Sequence, residues 1–321
     1  MKIAITDYTF PQLEIEEQIL AAAGHEIVAW KERRPPAELA SLVADADAVI
    51  TQFAAVNAEV IAAMQKAKVI VRYGIGVDNV DLEAAKNRGI PVCNVPDYCI
   101  DEVADHTLAF ILAATRQVVP NTIQVCGGKW GLASPPDQMR VLRDLTVGVV
   151  GFGRIGREVV ARLRSFKCRI LLFDPYARPA DIEAGGCSPA SLEELLAQSD
   201  IVTLHCPSTA QTRGMIDRSG LAKMMRGAIL VNLARGDLVE PAALVEALQS
   251  GQLGGAALDV FSPEPIPAGH PILALPNVIL ASHIASCSAV AGRKLRETAA
   301  NLALLALQGK PLPSVVNGVG K

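Results

Sequence analysis

Between Leu145 and Asp174 the chain reads LTVGVVGFGRIGREVVARLRSFKCRILLFD, an apolar run, three closely spaced glycines, an amphipathic stretch and a second apolar run closed by an acid. Each glycine has a mechanical use. Gly151 permits a sharp turn off a strand, Gly153 lets backbone approach a pyrophosphate without a side chain in the way, and Gly156 allows a helix to pack closely on the strand. Such a helix aims unpaired N–H groups at phosphate. Asp174 lies 18 positions beyond Gly156, where a carboxylate accepts hydrogen bonds from ribose hydroxyls and repels a 2′-phosphate. The chemistry expected of this segment is dinucleotide binding, NAD rather than NADP, with Arg178 as the nearby cation that works against that preference.

Three further residues follow apolar runs that read as strands: Arg235 after AILVNLA, Glu264 after GGAALDVF by way of SPEP, and His283 after VILAS. Open parallel sheets hold ligands at the carboxyl ends of their strands, so a cation, a carboxylate and an imidazole are expected near bound nicotinamide. That set suits reduction of a 2-oxo acid by hydride. Negative charge develops on the carbonyl oxygen and a proton donor is needed, a role for His283 near neutral pH. Glu264 would orient the ring and favour imidazolium, while Arg235 would offer its planar fork to the substrate carboxylate. Taken singly, each also reads as an ordinary turn or strand-end residue; it is their joint placement behind a nucleotide turn that points to chemistry.

His205 ends another strand, in LHCPST, where Pro207 would shape a loop, and is expected to bind cofactor rather than to react. His25, His106 and His270 read as structural. Tyr73, Gly74, Ile75 and Gly76 follow the run VIVR, and a glycine-flanked loop of this kind exposes N–H groups as a nest for a substrate carboxylate.

The elements that must carry these residues alternate. Short apolar runs (KIAIT, HEIVAW, AVITQ, VIVRYG) are separated by helical patterns, the signature of parallel α/β sheets. One long helix is expected from Asp101 to Val119, and a last one from Ala289 to Leu307. At 321 residues, half of them apolar, the chain is long enough for two cores. A net charge of −3 with dispersed Lys and Arg gives no footprint for nucleic acid. Seven cysteines without a CxxC pair suggest reduced thiols and no metal site. Neither a secretory signal nor a membrane span is legible, so a cytoplasmic protein is expected.

Taken together, GIGVDNVD (74–81), NVPDYC (94–99), EVADHTLAFIL (102–112), VGFGRIG (150–156), LHCPST (204–209), NLARGDLV (232–239), LDVFSPEP (258–265) and SHIAS (282–286) resemble the D-2-hydroxyacid dehydrogenase family over nearly the whole chain. The resemblance implies two Rossmann-like, doubly wound parallel-sheet domains. The NAD-binding domain, residues 99–286, would be inserted into a flavodoxin-like substrate domain of residues 1–98 and 287–321. It places the active site on Arg235, Glu264 and His283, and adds cofactor contacts at Arg154, Ile155, Cys206, Leu233 and Ala234, with Asp259 near the nicotinamide amide. It implies a homodimer joined through elements such as the helix around Asp105 to Val119. Glu264, where formate dehydrogenase relatives carry glutamine, argues against formate. The absence of the loop lysine of phosphite dehydrogenase relatives argues against phosphite. A chain ending at Lys321 is expected to lack the regulatory domain of longer phosphoglycerate dehydrogenases. The alternative is a nucleotide-sensing protein similar to the carboxyl-terminal-binding-protein corepressors, although Ser286, Cys287 and Ser288 stand where those carry tryptophan.

Overall fold

The computed structural model describes residues 1–320 and divides into two compact units, Met1–Tyr98 with Ser288–Lys321, and Cys99–Cys287. Each is built on one parallel sheet.

In the first unit the strands are β1 (Lys2–Ile5), β2 (Glu26–Ala29), β3 (Ala48–Thr51), β4 (Ile70–Arg72) and β5 (Val92–Cys93). Their order is β2-β1-β3-β4-β5, all pairs parallel, which is the flavodoxin-like order. Apart from Lys2, β1, β3 and β4 are buried on both faces, and apart from Lys2, Thr51 and Arg72 they are apolar, as strands covered by helices on each side must be. One face packs on the helix Ala289–Leu307, which buries Leu295, Ala299, Leu302 and Ala303; the other packs on helices that bury Leu39, Val60 and Ile61. Side-chain caps start the intervening helices: Asn57 accepts from Val60 N at 3.1 Å and Asp81 from Ala84 N at 2.9 Å. Asp7, 2% exposed, accepts from the N–H groups of Gln52, Phe53 and Ala54 and so ties the ends of β1 and β3 together.

In the second unit the strands are β6 (Thr146–Val150), β7 (Arg169–Phe173), β8 (Ser188–Pro189), β9 (Ile201–Leu204), β10 (Ala228–Asn232), β11 (Leu253–Leu258) and β12 (Val278–Leu280). The order β12-β11-β10-β9-β6-β7-β8 is the dinucleotide-fold order with one strand added at the edge, and its direction of winding reverses between β6 and β9. The helix Arg154–Arg164 follows β6 and buries Gly156, Val159, Val160 and Leu163. Arg162 on its outer side meets Asp101 at 2.6 Å, Asp105 at 2.7 Å and Glu158 at 2.8 Å, pinning this helix to Ile100–Thr115.

The long helix expected over 101–119 is two. It runs Ile100–Thr115 and Val118–Cys126, because Gln117 adopts a left-handed φ of 53° that ends the first ladder. Among the described residues no helix is long and apolar enough to cross a membrane, and no group of three or more His, Cys, Asp or Glu side chains could hold a metal ion.

Candidate active site

The glycine turn occupies the strand-order reversal of the second unit. Gly151 leaves β6 with φ of 101°, and a Cβ there would lie 2.8 Å from the His205 backbone at the end of β9. Gly156 faces inward: its Cβ would sit 2.1 Å from the Gly151 carbonyl oxygen. Both glycines are therefore demanded by the protein's own close approach. Gly153, the residue before the helix Arg154–Arg164, differs, since nothing lies within 4 Å of its Cβ position. The fold leaves open space there, which is what a pyrophosphate needs. Arg154 is exposed and Ile155 half-buried on the first turn of that helix.

Asp174 follows β7 directly. Its Oδ2 accepts from Phe152 N at 2.7 Å, which ties the carboxylate to the glycine turn, and its Oδ1 accepts from Tyr176 N at 2.8 Å two residues on. Its remaining lone pairs are available to ribose hydroxyls. Arg178 is held elsewhere: it forks onto Asp181 through Nε (2.9 Å) and Nη2 (2.8 Å). These features fit NAD, and Gly151, Gly153, Gly156 and Asp174 would hold it.

His205 shares a hydrogen bond of 2.9 Å between Nε2 and Thr203 Oγ1, and burial pushes its ring down to about 4, so it is neutral in the working range. Cys206 sits beside Met215, with its thiol pushed up to about 11, first by burial. Pro207 is exposed, Leu233 buried and Ala234 half-buried on the loop after β10.

Beyond β10, β11 and β12 the structure brings Glu264 and His283 into contact. Glu264 Oε2 lies 2.8 Å from His283 Nδ1, and Glu264 Oε1 accepts from Phe261 N at 2.9 Å. Burial pushes the Glu264 carboxyl up. The hydrogen bond from His283 with its charge, the Phe261 N–H and the Arg235 charge outweigh that, and the net position is below the ordinary 4.5. His283 itself has a left-handed φ of 58°, which costs an L-residue about 1–2 kcal/mol. It is held there by His283 N on the Asp259 carbonyl at 2.8 Å and by the fully buried Asp259 carboxylate, which accepts from Ile284 N at 2.8 Å and Ala285 N at 2.9 Å. Asp259 thus builds the turn that presents His283.

Arg235 is shaped by Asn232, whose Oδ1 accepts from Ala234 N at 3.0 Å and whose Nδ2 donates to the Arg235 carbonyl at 2.8 Å. Gly236 then lets this turn lie against Phe261, where a Cβ would fall 2.0 Å from backbone carbon. The Arg235 turn and the Glu264 loop are consequently in contact. Asn232, Asp259 in this clamping role and Thr203 are not singled out by sequence spacing. The only local signal was for Asn232, in the NLARG run.

Because the Glu264 carboxyl is lowered on folding, the stability it contributes is present above 4.5 and is lost as pH falls through the lower folded-state value. Glu264→Gln is expected to be less stable than the wild type at neutral pH, with the gap closing on acidification below 4.5. Thermal melts from pH 7 to 3 check this, and a gap independent of pH would remove the ionic role of the pair.

In the first unit the Tyr73–Gly76 loop follows β4. Tyr73 N bonds to the Thr51 carbonyl and Gly74 N to the Arg72 carbonyl, each at 2.8 Å, and the Tyr73 ring is 1% exposed. The N–H donors left for the expected nest are those of Ile75 and Gly76.

Residues 108–285 match the NAD binding domain of the D-isomer specific 2-hydroxyacid dehydrogenases. The chain is 38% identical over 306 residues to a D-3-phosphoglycerate dehydrogenase of Mycobacterium leprae, covering 95% of this chain and 57% of that protein. It is 39% identical over 298 residues to a glyoxylate reductase of Korarchaeum cryptofilum, covering 91% and 90%. The solved D-lactate dehydrogenase of Aquifex aeolicus, complexed with NAD and lactic acid, superposes with a TM-score of 0.85 at 28% identity, covering 96% of each chain. This chain spans little more than half the length of the phosphoglycerate dehydrogenases it matches. A glycine turn at a strand-order reversal, an acid clamped behind it and a sequence match running through both place this chain in the D-isomer specific 2-hydroxyacid dehydrogenase family.

Proposed function

We propose that the protein is an NAD-dependent oxidoreductase that interconverts a small 2-oxo acid and its D-2-hydroxy acid. The observation that carries this reading is the 2.8 Å Glu264–His283 pair, set on a turn that Asp259 holds and close enough to Arg235 for its charge to act on Glu264. Nicotinamide supplies or accepts the hydride. His283 gives its Nε2 proton to the oxygen that becomes the hydroxyl, and takes it back in oxidation. Glu264 holds Nδ1 and so fixes which nitrogen faces the substrate. Arg235 binds the substrate carboxylate and polarises the carbonyl. Within the first unit, the Ile75 and Gly76 N–H groups are assigned as a nest for a carboxylate. Residues 1–98 and 287–321 are assigned to substrate and 99–286 to cofactor, with Arg154, Ile155, His205, Cys206, Pro207, Leu233 and Ala234 completing the cofactor contacts. Asp259, expected from the family resemblance near the nicotinamide amide, is fully buried with its carboxylate taken by Ile284 N and Ala285 N, and is assigned to the turn that presents His283 instead.

Following NADH absorbance with glyoxylate, hydroxypyruvate, pyruvate and phosphohydroxypyruvate tests the reading. Turnover of at least one acid is expected. Tight NADH binding with no turnover of any would move the assignment to a nucleotide-sensing protein.

Cofactor choice gives a separate test. Asp174→Ala is expected to weaken NADH binding about tenfold and to narrow the discrimination against NADPH, because the carboxylate that binds the ribose and repels phosphate is gone. Arg178 is tied to Asp181, so Asp181→Asn in that background should narrow it further. Unchanged affinities for both nucleotides in Asp174→Ala would refute the ribose assignment.

The partner is proposed to be a second copy. The helix Ile100–Thr115 spends its apolar face inside its own unit, whereas Val118, Ile123, Val125, Trp130 and Leu132 are exposed beyond it, shifting the proposed interface toward residues 118–132. Light scattering should give a dimer for the wild type and a monomer for Ile123→Asp with Trp130→Ser. A monomeric wild type would sink this.

A further inference from the structure

The most deeply buried ion pair among the described residues plays no part in the chemistry above. Glu16 is 0% exposed and Arg296 is buried beside it, joined through Nη2–Oε2 at 2.6 Å and Nε–Oε1 at 3.0 Å, although 280 positions separate them in the chain. Arg296 also donates to the Gln12 carbonyl at 2.8 Å and to Glu14 at 3.3 Å, and its guanidinium stacks over Phe10. Taking two charges out of water is costly, and such a pair is weak evidence of stability for its own sake.

Its third member explains its place. The Tyr73 hydroxyl donates to Glu16 Oε1 at 2.9 Å, and the Tyr73 ring meets Phe10 edge-on at 5.4 Å. Burial first, and then the Glu16 charge, push the phenol well above its ordinary 10, so it is a permanent donor. Arg296 already serves both Glu16 oxygens, and a phenylalanine would fill the same space. The hydroxyl is therefore spare to the ion pair but not to the loop that Tyr73 begins. That loop is held on its other side as well, by Asn94 Nδ2 on the Ile75 carbonyl at 2.7 Å and by Val95 N on the Gly74 carbonyl at 3.0 Å.

We propose that Glu16, Arg296 and the Tyr73 hydroxyl form a positioning network that fixes the Tyr73–Gly76 loop with the Ile75 and Gly76 N–H groups presented to the substrate carboxylate. The inference rests on the reading of that loop as a carboxylate nest. It makes Glu16 and Arg296 determinants of affinity for the acid rather than of the chemical step.

The test separates KM from kcat with glyoxylate as substrate, and adds calorimetric binding of oxalate, an unreactive carboxylate probe, to the NADH-loaded protein. Tyr73→Phe and Glu16→Gln are expected to raise KM and the oxalate Kd about threefold to tenfold, with kcat and NADH affinity within about twofold. Leu39→Ala, at a fully buried position of the opposite core face, should lower Tm without moving KM or the oxalate Kd. Gly74→Ala disturbs the loop directly, since φ there is +147° and a Cβ would strike the Arg72 guanidinium. A raised oxalate Kd in Gly74→Ala with none in Tyr73→Phe or Glu16→Gln overturns the network and leaves the nest standing. No change in Gly74→Ala ends the nest, and the network with it. An equal rise in Leu39→Ala reduces the network to a structural one. If Glu16→Gln fails to fold, Tyr73→Phe, which removes one oxygen, decides alone.

Discussion

Replacing His283 with alanine is expected to lower turnover by about 10²–10⁴-fold while NADH affinity stays within about twofold, because in the proposed function it is the proton donor, a role that contributes on that scale, and is not among the proposed cofactor contacts. The backbone needs its own control. His283 sits at φ of 58°, a conformation that alanine adopts less readily than asparagine, so His283→Asn keeps the turn while removing the titratable ring. The same loss in both variants assigns the effect to the imidazole. A loss in the alanine variant alone would mean that the turn, held by Asp259, was what mattered. Stopped-flow single turnovers with saturating NADH measure the step directly, and a wild-type rate in His283→Asn would remove the residue from proton transfer.

Gly156→Ala is expected to lower Tm and to weaken NADH binding by about 5-fold to 150-fold, since forced overpacking costs about 1–3 kcal/mol and each 1.4 kcal/mol is tenfold. The cause is backbone meeting backbone: the new methyl would lie 2.1 Å from the Gly151 carbonyl oxygen, and neither atom belongs to a side chain that could swing away. Gly153→Ala is the informative contrast. Open space surrounds that Cβ position, so the variant should melt like the wild type yet bind NADH about tenfold more weakly, the methyl standing where pyrophosphate approaches. Isothermal titration of NADH with parallel melts distinguishes the two glycines. Equal Tm and equal affinity in Gly156→Ala would contradict the close packing of the turn.

Much of the fold is local and therefore readable. β6, the glycine turn and the following helix succeed one another within 19 residues, and β3, β4, β9 and β10 are short runs rich in Val and Ile whose burial on both faces follows from helices covering each side. The two-residue strands β5 and β8 carry no period and were not legible. The break at Gln117 was hidden because its neighbours, Arg116 and Val118, do not interrupt a helical pattern; only the backbone angle reveals it.

The candidate site divides the same way. The residue types at the strand ends could be read, because the end of an apolar run marks where a parallel sheet holds its ligands. Their clamps could not. Asp259 reaches Ile284 and Ala285 some 25 positions on, Asp174 takes a hydrogen bond from Phe152 22 positions back, and Arg296 reaches Glu16 across almost the whole chain.

Sequence alone thus determined the alternating elements, the parallel sheets and the glycine turn, since these depend on periodicity and on the conformations each residue allows. Tertiary structure decided that Glu264 accepts from His283, that Asp259 holds His283 in its left-handed turn, and that Tyr73 turns its hydroxyl inward to Glu16. Those outcomes turn on distances of a few ångströms between segments far apart in the chain. Composition and spacing carry no information about such distances until the sheets have assembled.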